Sequence, residues 1–187
     1  MDKTFQTIDT NIYSKHRENY LPTKIKYLFV AESPPAFKGQ EPVAYFYFND
    51  VPKADSLFYT IIKAIYDLDF CKYFHNRIDL LKQFQNDGYY LIDAVEYPIN
   101  KSKDGTTIPN NERQKIIAQN KNVFERHIKI LIDTGKINNL TKTVLIKETV
   151  YHEYRDHNML KVINKNSIGF PRYIKDRQTI KRIRNLI

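Results

Sequence analysis

Two stretches of this chain end in the same way. Lys24-Ile-Lys-Tyr-Leu-Phe-Val-Ala-Glu-Ser-Pro-Pro35 runs through apolar, aromatic and β-branched residues, stops at Glu32 and continues into the stiff turn Ser33-Pro34-Pro35. Tyr89-Tyr-Leu-Ile-Asp-Ala-Val-Glu-Tyr-Pro98 repeats the design, with Asp93 at the end of the apolar run and a turn closed by proline. A carboxyl group can hold a proton, stabilise a developing positive charge or orient a water. If both runs are parallel strands, both acids stand at the carboxyl ends, where open α/β sheets bind ligands, and Asp93 is expected close to Glu32. Two such carboxyls in a dry pocket disfavour each other's ionisation, so Asp93 is a candidate for a raised pKa. Glu32 is the leading catalytic candidate; the plainer alternative is a cap or a solvated turn acid. Asp93 likewise either reads a ligand or joins a structural hydrogen-bond network.

Other residues with chemical potential fall at the same predicted edge. A long loop over 36–53 carries the aromatic run Tyr45, Phe46, Tyr47 and Phe48, of which at least two are expected to fold onto the core. Glu96, Lys147 with Glu148, and Gly169-Phe-Pro-Arg172 complete the set. The chain has 30 Lys plus Arg against 21 Asp plus Glu, a formal charge of +9, and a pI near 9.4, which fits a polyanionic partner such as nucleic acid. Arg172, Lys175, Arg177, Lys181, Arg182 and Arg184 crowd the start and exposed face of a final helix and suit phosphates, the alternative being a solvated face.

Several site types are excluded by pattern. There is no phosphate-binding loop ending in Lys-Ser/Thr, no dinucleotide-binding glycine fingerprint, no nucleophile elbow and no HExxH. The lone Cys71 excludes an internal disulfide and a cysteine-rich zinc site. His152 and His157, five apart, are read as surface residues on different helical faces rather than metal ligands. No metal or organic cofactor is expected. With no signal-like or membrane-length apolar run, the protein is expected to be soluble and cytoplasmic.

The elements that must position these residues alternate. Strands are expected at 25–30, 89–93, 142–147 and, briefly, 161–168. Helices are expected at 54–68 after an Asp55 or Ser56 cap, at 76–85, at 110–133 with Ile116, Ile117, Val123, Phe124, Ile128 and Leu131 buried, at 150–160 and at 173–186. Residues 1–22 read as an N-terminal arm or short helix anchored by Tyr13 and Tyr20. The expected fold is one α/β domain over 1–187, a three-layer α/β/α sandwich around a mainly parallel four-stranded sheet.

This order of motifs resembles the uracil-DNA glycosylase superfamily from residue 24 to the C-terminus. Ala31-Glu-Ser-Pro-Pro35 is similar to the family's first motif, which implies that Glu32 assists attack at the sugar C1′, with Ser33 and Pro34 beside the substrate. One of Tyr45 to Phe48 matches the aromatic on which the extruded base stacks. Leu91-Ile-Asp-Ala-Val95 is similar to the segment whose amide reads uracil, with Asp93 at the amide's position. Ile168-Gly-Phe-Pro-Arg172 is similar to the loop that enters the minor groove, with Phe170 where the family has histidine. The resemblance implies a monofunctional glycosylase that flips a pyrimidine out of DNA. Arg172, Lys175, Arg177, Pro171, Lys101 and Lys103 would contact the DNA.

The departures bear on substrate. Phe170 cannot donate to a base O2. A protonated Asp93 could accept from the exocyclic amine of cytosine and donate to N3, whereas ionised Asp93 would repel uracil O4. The expectation is therefore a cytosine or modified cytosine rather than uracil, in repair or in defence against foreign DNA. Two alternatives stand beside it: a catalytically silent DNA-binding module on the same fold, and a nucleoside or nucleotide hydrolase.

Overall fold

The structure, a computed structural model, describes residues 11–36, 44–51, 55–68, 76–102, 105–171 and 176–187. Among them are seven helices and one three-stranded parallel sheet of order β2-β1-β3. The central strand β1, Tyr27–Ala31, is buried along Leu28, Phe29, Val30 and Ala31, as its unbroken apolar run requires of a strand covered on both faces. It pairs with β2, Tyr89–Asp93, in a register that sets Ala31 against Asp93, and with β3, Lys142–Leu145. Gly88, at φ +83°, leads into β2, and its carbonyl accepts from the amides of Lys26 and Tyr27. A Cβ at this position would meet the Lys24 carbonyl oxygen at 3.0 Å and the Lys26 Cγ at 2.9 Å, so both the turn and the close approach call for glycine.

The expected fourth strand is absent from the sheet. The backbone of residues 161–168 pairs with β3 and its continuation only as isolated parallel bridges, Val162 to Thr143 and Ile168 to Ile146. Between them the Asn164 side chain takes the place of a backbone ladder: its Oδ1 accepts from the Leu145 amide at 2.9 Å and its Nδ2 donates to the Leu145 carbonyl at 3.1 Å. A short amide side chain competing for backbone partners interrupts strand pairing at this point.

The N-terminal helix α1, Asn11–Glu18, lies against the domain through buried Tyr13, with Tyr20 buried just beyond it. Asp55 caps α2, Ser56–Tyr66, by accepting from the Phe58 amide at 3.0 Å, and α3 covers Arg77–Asn86. The single long helix expected over 110–133 is two, α4 at Asn110–Gln119 and α5 at Lys121–Asp133. Asn120 divides them. Its amide side chain donates to the Ile116 carbonyl at 2.8 Å, beside the bond from its own backbone amide, and reaches Tyr97 Oη at 3.1 Å, so Asn120 closes the end of α4 and ties it to a neighbouring loop. The break turns Val123 outward to 47% exposure, while Ile117, Phe124, Ile128 and Leu131 remain buried.

Helix α6, Glu148–Tyr154, is shorter than expected and ends in turns closed by His157 and Leu160. These carry His157 inward, where its Nε2 lies 3.1 Å from Glu125 Oε1 and its ring packs edge-on against Tyr154 and Phe124. His157 is therefore a buried residue and not a surface one, whereas His152 is exposed beside Glu148. The last helix, α7, Arg177–Arg184, is capped by Asp176 and packs on α2. Lys103, Arg172, Tyr173 and Lys175 lie outside the described residues.

Candidate functional site

The two strand tips open into one cavity of about 430 Å³. Glu32 and Asp93 both line it, together with Ser33, Pro34, Tyr45, Phe46, Asn100, Lys101, Arg113, Lys147 and Phe170. The chain stays zipped beyond the sheet. The Ala94 amide donates to the Ala31 carbonyl at 2.8 Å, and the Val95 amide to the Glu32 carbonyl at 3.1 Å, which fixes the two acids on adjacent backbone. The turn after Glu32 is pinned from both sides. Tyr13 Oη donates to the Pro35 carbonyl at 2.6 Å, and Ser33 Oγ accepts from the Ile99 amide at 3.4 Å.

Glu32 is buried and met by three donors, Arg113 from α4 and, from the start of α6, Thr149 and the N-cap residue Lys147. Thr149 Oγ1 donates to Oε1 at 2.6 Å, Arg113 Nη1 reaches Oε2 at 3.2 Å, and Lys147 Nζ pairs with the same oxygen. Charge-assisted bonds of this kind are the strong ones, and together they hold the carboxylate in one orientation. Lys147 adopts φ +82°, a conformation that costs a non-glycine residue of order 1–3 kcal/mol and gathers at functional sites. Its amide is held by the Ile168 carbonyl at 2.6 Å, and its ammonium lies 6.0 Å from the Phe170 ring. Burial lowers the Lys147 pKa; Glu32 opposes that fall and Arg113 adds to it.

Asp93 meets the opposite surroundings. It is 4% exposed, and its hydrogen bond is a long one, accepted by Oδ2 from Tyr45 Oη at 3.5 Å. Burial pushes its pKa up to about 7; Arg17 and the Tyr45 hydroxyl pull it down, and Glu96 and Glu32 push it further up. At neutral pH this carboxyl is partly protonated, so it can donate a hydrogen bond that an ordinary aspartate cannot.

All four residues of the aromatic run are buried. Tyr45 and Phe46 form cavity wall. Tyr47 is a core residue: its hydroxyl accepts from the Leu91 amide at 2.7 Å and donates to the Leu91 carbonyl at 3.1 Å, which satisfies backbone on the outer edge of β2. Phe48 packs against Tyr13 and His16. Neither Tyr47 nor Phe48 is among the cavity residues. The run is held by Arg77, which donates to the carbonyls of Tyr45, Phe46 and Phe48 and pairs with Asp55 at 2.8 Å.

Phe170 lines the cavity with 45% of its surface exposed, while Pro171 is buried and its carbonyl accepts from Ser56 Oγ at 3.0 Å. Lys101 belongs to the cavity lining; Arg177 is exposed at the start of α7. Arg184, though exposed, is tied to Asp67 at 2.7 Å and to backbone carbonyls of α2; Lys181 and Arg182 are exposed on the same helix. Glu96 turns away from the cavity lining to His127 and Arg17, and these, the His127 hydrogen bond foremost, hold its pKa down at about 2 against the opposing effect of burial.

Sequence patterns did not reveal Arg113, Thr149 or Asn100 as site residues, and gave Lys147 a place without a role. Arg113, Lys147 and Thr149 stand 81, 115 and 117 residues from Glu32, so only tertiary structure joins them to it. Among the described residues no group of His, Cys, Asp and Glu could hold a metal ion, and no helix is long and apolar enough to cross a membrane. Compared with known proteins, the chain matches no family model, no curated protein and no solved structure.

Proposed function

We propose that this chain is a DNA glycosylase that hydrolyses the N-glycosidic bond of a pyrimidine flipped into the cavity, with a cytosine-type base preferred over uracil. The observation that carries this reading is the pairing of two carboxyls in unlike settings on one cavity. Glu32 is locked by cations and a hydroxyl, whereas Asp93 is dry and titrates near neutrality. Two acids whose environments are driven apart are the arrangement that lets one act as carboxylate and the other as proton donor.

In this mechanism basic groups, Lys101 at the cavity and Arg177, Lys181 and Arg182 on α7, hold phosphates without regard to sequence. The flipped base enters between the walls formed by Tyr45 and Phe46, and stacking returns about 1–3 kcal/mol of the cost of leaving the duplex. Phe170, at the cavity and half in solvent, fills the space the base leaves. The bond between C1′ and N1 breaks with its electron pair going to the base. Asp93 gives its proton to the departing ring, taking over from the histidine that Phe170 replaces. Glu32 stabilises positive charge on the sugar and accepts a proton from the water that attacks C1′. The products are the free base and an abasic site. A glycosylase of this kind would serve repair or defence against foreign DNA carrying modified bases. The parallel sheet with its crossover helices supports the three-layer α/β/α arrangement that the reading carries with it.

The test is base release, read by mass spectrometry, from DNA containing cytosine, hydroxymethylated or glucosylated cytosine, or uracil, with wild-type and Glu32→Gln protein. Release of a cytosine-type base that depends on Glu32 is the expected result. DNA binding without release of any base replaces this reading by a silent binding module. Turnover of free nucleosides in the absence of DNA replaces it by a nucleoside hydrolase.

A further inference from the structure

The cluster around Glu32 holds one positive charge more than the carboxylate can balance. Arg113 Nη1 and Lys147 Nζ both bond the same oxygen, Oε2, while Thr149 takes Oε1. A guanidinium stays protonated in proteins. The proton this cluster can give up is therefore the one on Lys147, and Glu32 stands against that ammonium to receive it. Lysine amines drawn out of water or set beside a second cation are the ones that act as nucleophiles toward a carbonyl carbon. The lowered pKa of Lys147, due first to burial, works in the same direction.

Lys147 is also placed where a ligand can reach it. It belongs to the cavity lining, 20% of its side chain is exposed, and its ammonium lies 6.0 Å from the ring of Phe170, another lining residue that stands half in solvent. The lysine is kept there at a cost, since φ +82° favours glycine. Lys101, the other lysine of the lining, is exposed and forms no ion pair with a described residue, so it lacks a carboxylate to take its proton.

We infer that Lys147 is a nucleophile and that the site has a second activity, cutting the DNA backbone beside an abasic deoxyribose through a lysine imine. This rests on the reading of the cavity as a site for a flipped deoxynucleotide; the family resemblance implies base release alone. The substrate is the abasic sugar in its open-chain form, an aldehyde at C1′. Glu32 takes a proton from the Lys147 ammonium, and the freed amine attacks C1′. Glu32 returns the proton as the carbinolamine oxygen leaves as water, which gives an iminium between Nζ and C1′. The iminium withdraws electrons from C2′. Glu32, again a carboxylate, takes a proton from C2′, a C2′–C3′ double bond forms, and the C3′–O bond breaks with its electron pair going to the phosphate. Water then hydrolyses the iminium, which frees Lys147 and leaves an unsaturated aldehyde on one strand end and a 5′-phosphate on the other.

The experiment incubates the protein with an oligonucleotide bearing one preformed abasic site, so that no base has to be released. Sodium cyanoborohydride reduces an imine to a stable amine, and the covalent adduct is read on a denaturing gel and mapped by mass spectrometry of the digested protein. Wild-type protein should form the adduct at Lys147 and, without the reductant, should cut the strand at the abasic site. Lys147→Arg keeps a cation beside Glu32 but has no amine to form the imine, and its adduct should be lost. If Lys147→Arg does not fold, as judged by thermal melting, the mapped position in the wild type carries the test. No adduct in the wild type, an adduct mapped to Lys101 or any other amine instead of Lys147, or an undiminished adduct in folded Lys147→Arg overturns the inference. Base release that depends on Glu32, with no adduct on abasic DNA, sinks the second activity alone. An adduct at Lys147 with no base released from any substrate sinks the glycosylase reading alone.

Discussion

The tips of β1 and β2 are written in nearly the same words, an apolar run, an acid and a proline-closed turn, yet they end in opposite electrostatic settings. Glu32 receives an ammonium, a guanidinium and a hydroxyl, all from elements later in the chain. Asp93 receives one long hydrogen bond and is otherwise enclosed by buried surroundings that raise its pKa to about 7. The backbone places the acids alike, and side chains from far away decide what each can do. A strand ending in an acid locates a reactive position; it does not say whether that position holds a charge or a proton.

The largest effect expected from breaking this contrast is at Glu32. In Glu32→Gln an acceptor remains for Thr149, but the charge that faces Lys147 and Arg113 is gone. Base release should fall by about 10²- to 10⁴-fold, the range for a positioned acid or base. Binding to DNA should persist within a few-fold because the phosphate-contacting cations are untouched. A variant that retains more than a tenth of wild-type release would remove Glu32 from the chemistry and reduce it to a buried ion-pair partner.

How much of this could be read from the chain depends on distance along it. The strands around Phe29 and Leu91 and the closeness of Glu32 to Asp93 were legible, because a buried parallel strand needs a continuous apolar run and both runs stop at an acid. The cap at Asp55 was equally local. The fourth strand was misread because Val162, Ile163 and Ile168 have strand-like side chains; what matters is Asn164, whose amide takes the Leu145 backbone groups and leaves only isolated bridges. Asn120 dividing α4 from α5, and His157 turning inward to Glu125, are the same kind of event, a polar side chain choosing a tertiary partner over the local pattern. The donors on Glu32 had no local signature at all. Arg113 sits in an ordinary polar helix start, and only the fold brings it 3.2 Å from an acid 81 residues earlier.

The second prediction concerns Asp93 and pH. In the unfolded chain it titrates near its ordinary value of 3.8, and in the folded protein at about 7. Between those values the folded state holds a proton that the unfolded chain has released, so this residue's contribution to stability falls as pH rises through the window and levels off above it. At about 1.4 kcal/mol per pH unit, the window carries about 4 kcal/mol at most. Asp93→Asn removes the titration. Denaturant midpoints measured from pH 4 to pH 8 should therefore decline less steeply in the variant. Parallel declines in the two proteins would place the buried, raised carboxyl elsewhere.

A smaller effect separates the two duties of Lys147. Both Lys147→Ala and Lys147→Gly remove the ammonium from Glu32, but only glycine occupies φ +82° without strain. The glycine variant should be the more stable of the pair by about 1–3 kcal/mol, the cost this backbone conformation imposes on a residue with a Cβ. Base release should drop equally in both, since each leaves Glu32 with one fewer cation. A glycine variant less stable than alanine would mean that the backbone there relaxes once the side chain is freed.

The smallest effect is also the most direct probe of the contrast. The Tyr45 hydroxyl donates to Asp93 and is one of the influences that lower its pKa, after Arg17 and against the larger effect of burial. Tyr45→Phe keeps the ring in the cavity wall and removes that donor, so Asp93 should hold its proton to higher pH. A hydrogen bond is worth about 0.5–1.5 kcal/mol, which corresponds to a displacement of up to about one pH unit. If protonated Asp93 is the acid of base release, the alkaline limb of the pH–rate profile should move upward by that amount while the maximum rate stays within a few-fold. A limb that moves downward, or a maximum that collapses with the limb in place, would assign the proton to Tyr45 itself and leave Asp93 as its acceptor.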